Sequence, residues 1–172
     1  MRQDTFDKTS SRDAVDAIVE QWRSERPDLD PSAKEVAGRI VRLGSLFGQA
    51  YAAAFATLGL GDGDYGVLAA LRRAGAPHEL TPTELARQRM MTSGGMTAAL
   101  DRLERRGLVA RAPNPADRRG TLIGLTAAGR DIVDRAMTLH SETEQRLVGG
   151  LDAREREQLA GLLRKLLLAT DA

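Results

Sequence analysis

The 172-residue chain contains no cysteine and only two histidines. Disulfide frameworks, thiolate metal sites and thiol redox sensing are thereby excluded, and two imidazoles offer little to a metal centre. Aromatic residues are scarce as well, with three Phe, two Tyr and one Trp. A core must then be closed by aliphatic side chains, and the many Ala, Leu, Arg and Glu residues favour helices as the elements that close it. No uninterrupted apolar run approaches the roughly 18 to 20 residues that a bilayer-spanning helix needs. The opening stretch MRQDTFDKTSSRDAVD alternates charged and polar residues where a secretory signal would carry an apolar region, so a cytoplasmic location is expected. What is present, 42% hydrophobic residues in a chain of one-domain length, suits a mainly helical compact unit with a modest extension.

A formal net charge of +1 hides an asymmetry. Between Arg87 and Arg119 stand eight arginines against Asp101, Glu104 and Asp117, a net of +5, while the remainder carries −4. Such a segment can be a solvated face, or it can meet a polyanion. Its all-arginine composition fits phosphate, because a guanidinium bridges two oxygens where an ammonium acts as a point charge.

Periodicity predicts the elements. Ala14, Val15, Ile18 and Trp22 recur at helical spacing between Arg12 and Glu25, and Pro27 should stop that helix. A long helix is expected from Asp30 or Ser32 to about Thr57, with Val36, Ile40, Leu43, Phe47, Tyr51 and Phe55 on one broad face. Gly59, Gly61 and Gly63 end it, and Asp62 or Gly63 precedes a helix carrying Tyr65, Leu68 and Leu71. Thr81, Pro82 and Glu84 then spell a capping box for a short helix to about Gln88. Met96, Leu100 and Leu103 mark the buried stripe of a second helix, ended by Gly107. Leu108 to Arg111 and Thr121 to Leu125 read as a β-hairpin whose strands are parted by a long loop, APNPADRRG. Thr126 caps a helix bearing Ile132, Val133, Ala136, Met137 and His140. Asp152 with Glu155 opens the last one, striped by Leu159, Leu162, Leu163, Leu166 and Leu167.

Helix, tight turn, helix and hairpin is the order of a winged helix-turn-helix, and its physics suits DNA. The second helix can enter the major groove, with Thr92, Ser93, Gly94, Gly95, Thr97 and Ala98 small enough for close approach and Arg102 one turn further along. Arg118 and Arg119 at the hairpin tip can reach an adjacent minor groove, whose negative potential favours guanidinium. The same elements could instead build a protein-binding winged helix. The pairing of the long apolar stripes across a two-fold axis would make the molecule a homodimer.

The segments TPTELA, MTSGGMT, DRLERRGLV, PADRRG and LTAAG, in this order and spacing, resemble the MarR family of transcriptional regulators from about Lys34 to Ala169. The resemblance implies an N-terminal extension with an added helix over residues 1–31 and a MarR-like domain over 32–172. Within the latter it implies dimerisation helices near 32–57 and 126–169 and a winged helix-turn-helix near 62–125. It further implies a homodimeric repressor of a pseudo-palindromic operator, released by a small ligand, and it places the family's acidic residue and arginine of the wing at Asp117 and Arg119. The stretches VDAIVEQWRSERPDLDPS and LRRAG are similar to the urate-responsive and PecS-like branch. By position, that branch's ligand set falls on Trp22, Gly66, Ala99 and Arg111. Its Trp and one Arg are kept, while its Asp and the other Arg are replaced by Gly66 and Ala99. The replacement implies a roomier, more apolar cavity and an aromatic or apolar effector in place of urate. Trp22 could equally staple the added helix to the core.

Other functions find less support in the residues. His140 and Glu144 stand one turn apart, a spacing open to a metal, but no second His or Cys joins them, so neither an enzyme nor any cofactor is expected. Ser93 lacks the surroundings of a nucleophile. A MarR-like activator and a non-specific architectural DNA-binding protein remain alternatives, the latter predicting equal affinity for random and upstream DNA.

Overall fold

The computed structural model describes residues 12–90 and 92–170. Its elements, in chain order, are α1 (Ala14–Glu25), α2 (Ser32–Ala56), α3 (Asp62–Arg73), β1 (Glu79–Leu80), α4 (Pro82–Arg89), α5 (Ser93–Arg105), β2 (Val109–Asn114), β3 (Asp117–Leu125), α6 (Ala127–Leu147) and α7 (Ala153–Thr170). None of these helices is long and apolar enough to cross a membrane. The chain divides into two compact units, residues 1–49 and 50–172.

In the first unit, Asp13 rather than Arg12 opens α1, in a reciprocal capping box with Asp16. Arg39 of α2 clamps that box, donating to Asp13 at 2.8 Å and to Asp16 at 2.7 Å. Val15 and Val19 supply the buried face of α1. Val15 is seated on Gly38, where an added Cβ would stand 3.0 Å from its Cγ1. Close helix packing here depends on the missing side chain.

The second unit is built around α3, buried continuously from Asp64 to Leu71. Phe55, Leu85, Met96, Leu100, Leu103, Ile123 and Val133 close the core against it. The Thr81 to Glu84 capping box forms as the sequence predicts, with Pro82 in the first turn. α4 ends on Met90 in the left-handed conformation, φ 48°, and Thr92 caps α5. Gly107, φ 68°, ends that helix.

The hairpin departs from the expectation at its tip. The strands do not stop short of a long loop; β2 runs on through Pro113 to Asn114 and β3 begins at Asp117, leaving a two-residue turn. The sheet order β1-β3-β2 explains the tolerance. β2 is an edge, where proline sacrifices no ladder bond, and an irregularity between Pro113 and Asn114 absorbs the rest. The third strand, β1, pairs antiparallel with β3 through Glu79 and Leu80 and has no counterpart in the sequence-based expectation.

Candidate nucleic-acid interface

α5 divides cleanly by burial. Met96, Ala99, Leu100 and Leu103 face the core, while Thr92, Ser93, Gly94, Gly95, Thr97 and Ala98 are exposed. Two hydroxyls serve the helix itself. Thr92 Oγ1 accepts from the Gly95 amide at 3.2 Å, and Thr97 Oγ1 donates to the Ser93 carbonyl at 3.0 Å. The exposed N-terminal half thus carries small side chains only, a face that can approach another surface at backbone distance.

The other half of α5 is tied down. Asp64 of α3 is only 4% exposed. It accepts from Arg102 Nε at 2.9 and 3.2 Å and from Arg102 Nη2 at 2.5 Å. These bonds raise the Arg102 guanidinium above its ordinary pKa. Arg106 Nη1 stands 3.9 Å from the same carboxylate and donates to the Gly59 carbonyl at 2.7 Å. Arg102, expected from the sequence to point at DNA, is therefore folded back onto α3. On the wing side, Arg111 of β2 donates to Asp101 at 2.6 Å and also to Glu104, pinning the strand to α5.

The hairpin tip is built on Asn114, whose Oδ1 accepts from the Ala116 amide at 2.9 Å. Asp117 opens β3, and Arg118 and Arg119 follow it in the strand. At the root of the wing, Thr126 Oγ1 donates to the Gly107 carbonyl at 2.7 Å and accepts from the Gly129 amide at 3.0 Å.

The four positions assigned to a ligand belong to different units. Trp22 lies in the first unit, 43% exposed, with the Lys34 ammonium 5.7 Å from its ring centroid. Gly66, Ala99 and Arg111 lie in the second. Gly66 and Ala99 are buried, but Gly66 leaves no vacant apolar space: the Arg89 guanidinium lies against it, and an added Cβ would stand 2.1 Å from Arg89 Cζ. Arg89 Nε is buried without a hydrogen-bond partner, and its nearest carboxylate, Asp62, is 3.9 Å from Nη2. The expectation of a roomier cavity is corrected at this point, because a cation from the end of α4 has taken the room.

His140 and Glu144, weighed above for a metal, belong to an aromatic stack. The His140 ring lies 4.5 Å from Tyr51 and 5.3 Å from Tyr65, and Tyr65 lies 4.1 Å from Phe55. Burial, then the neighbouring Glu144 carboxylate, push the Tyr51 hydroxyl above its ordinary pKa. Among the described residues no group of three or more His, Asp or Glu could hold a metal ion.

Asp64, Arg89 and Arg106 are the residues that sequence reasoning passed over. Asp64 did leave a signal, since it shares a helix face with Leu68 and Leu71 and a carboxylate on such a face requires a partner.

Comparison with known proteins agrees with this geometry. Residues 58–120 match the MarR family. Over 149 residues the chain is 36% identical to the HTH-type transcriptional regulator PecS of Dickeya dadantii, covering 87% of this chain and 90% of PecS. A cysteine-to-serine variant of MarR from Escherichia coli, complexed with operator DNA, superposes with a TM-score of 0.69 at 28% identity, over 85% of this chain and 97% of that one. Bordetella bronchiseptica BpsR, whose DNA binding is regulated by 6-hydroxynicotinic acid, superposes with a TM-score of 0.66 at 26% identity, over 77% and 98% of the two chains.

Proposed function

Because the chain belongs to the MarR family of DNA-binding transcriptional regulators, we propose that it acts in the cytoplasm as a homodimeric repressor whose hold on a pseudo-palindromic operator is released by a small aromatic effector. The observation that carries this is the exposed small-residue face of α5, opposite a fully packed one. Residues 92–98 choose the sequence in the major groove, and Arg118 and Arg119 of the wing, next to Asp117, add backbone and minor-groove contact. Dimerisation is supported by α7, which buries none of its eighteen residues within the chain and exposes Leu159, Leu162, Leu163, Leu166 and Leu167. A stripe of that size on a free surface marks an interface.

For the effector, the replacement of two polar ligand positions by Gly66 and Ala99 argues against urate. Arg89 against Gly66 adds a cation there, which suits an aromatic acid, the chemical type that regulates BpsR. Footprinting on DNA flanking the protein's own gene tests the main reading: symmetric protection of half-sites about 10 bp apart is expected. Equal protection of random DNA at matched salt would overturn it in favour of an architectural role. Calorimetric titration tests the effector: 6-hydroxynicotinate is expected to bind and urate not, and tight saturable urate binding reverses the assignment.

A further inference from the structure

The excess of positive charge between Arg87 and Arg119 overstates what is delivered to the surface. Arg111 is neutralised by Asp101 and Glu104 within the same segment. Arg102 is neutralised from outside it, by Asp64 of α3, and Arg106 is drawn toward the same carboxylate. Arg102 stands one helical turn beyond Ala98, so an extended guanidinium there would point along the face that residues 92–98 present. A phosphate contact made from that position would add affinity for every sequence alike. The bond to Asp64 opposes it. A carboxylate 4% exposed is stable only with its partner in place, so Arg102 cannot leave for a phosphate without stranding a buried charge.

We propose that Asp64 is a positioning residue for DNA recognition: by retaining Arg102 and attracting Arg106, it withholds sequence-independent phosphate attraction from the C-terminal half of α5 and leaves discrimination to Thr92 through Ala98. This rests on the DNA-binding reading above. It also assigns a function to a carboxylate that would otherwise be read as a fold element alone.

The test uses the full chain, a random-sequence duplex of about 30 bp, and a duplex from upstream of its own gene, titrated by fluorescence anisotropy across a salt series. Asp64→Asn keeps the shape and removes the charge. The expected result is tighter binding to the random duplex, by about three- to tenfold at low salt, with the slope of log K against log salt steeper by about 0.9 per guanidinium released. Affinity for the upstream duplex rises by a similar factor, as a sequence-independent phosphate contact requires. A folded Asp64→Asn protein with an unchanged slope overturns the proposal, as does one that binds both duplexes more weakly at unchanged slope, the signature of a loosened helix and nothing more. If Asp64→Asn does not melt cooperatively, the double variant Asp64→Asn, Arg102→Gln, neutral at both positions, decides. A random-duplex slope equal to wild type, or steeper by no more than the about 0.9 that Arg106 can add, is expected; a slope shallower by about 0.9 means that Arg102 already contacts phosphate in the wild type and sinks the assignment. Failure of the wild type to bind either duplex would instead count against the DNA-binding reading.

Discussion

The Arg89 guanidinium occupies the space that a side chain at Gly66 would claim, with Cζ 2.1 Å from where that Cβ would stand. The obstacle is the far end of a flexible side chain, so it can swing away. Gly129 presents the opposite case. A Cβ there would stand 1.9 Å from the Leu108 carbonyl oxygen, which is backbone and is held by the Thr126 amide and hydroxyl. Gly129→Ala is therefore expected to destabilise the fold by about 2 kcal/mol or more beyond Gly66→Ala. Urea unfolding of both variants measures the difference; equal midpoints would contradict the close approach of α6 to the wing root.

Arg119→Ala is expected to weaken DNA binding several-fold and to flatten the salt slope by about 0.9, as befits the loss of one phosphate or groove contact. The oligomeric state should not change. Gel-shift titration with parallel sedimentation checks both, and unchanged affinity would remove the wing from the interface.

Leu163→Asp places a carboxylate in the exposed stripe of α7. No residue of that helix is buried within the chain, so its secondary structure should survive in far-ultraviolet dichroism. The dimer dissociation constant is expected to rise at least about tenfold. A wild-type mass by light scattering at low micromolar concentration would contradict a two-fold contact through α7.

Acid should weaken the fold at two caps. Asp16 is held below the ordinary carboxylate range by the Asp13 amide and then by Arg39; Glu84 is held there by the Thr81 amide and hydroxyl. A carboxyl with a lowered folded pKa stabilises fully above its unfolded value, about pH 4, and loses that contribution as pH falls through the folded one. Stability measured by urea should therefore hold near neutrality and decline below about pH 4. Glu84→Gln should start lower at pH 7 and decline less steeply. A parallel decline in both proteins would show that the Thr81 cap does not contribute.

Most of the fold is legible because its signals are local. Thr81 to Glu84, Thr126 and Asp152 with Glu155 cap helices within a single turn, and the structure pairs each as the spacing predicts. What escapes is decided by partners distant in sequence. Pro113 reads as a strand breaker until β2 is known to be an edge, and Glu79 with Leu80 is too short a run to announce a strand without β3 beside it. Arg102 reads as a free cation until Asp64, 38 residues earlier, is found beneath it. The exposed half of the interface is legible for the opposite reason. Small side chains at 93 to 98 need no partner to be recognised as small.

The pairing of β1 with β3 has a mechanical consequence. β3 is the middle strand, bonded on one side to the hairpin's outer arm and on the other to the two residues immediately before the Thr81 cap. A lateral pull on the tip is thus handed through Ile123 and Gly124 to the threshold of α4. The hairpin and the residues leading into α4 are tied into one sheet, so the wing is anchored to the helix pair and not only to the α6 that follows it.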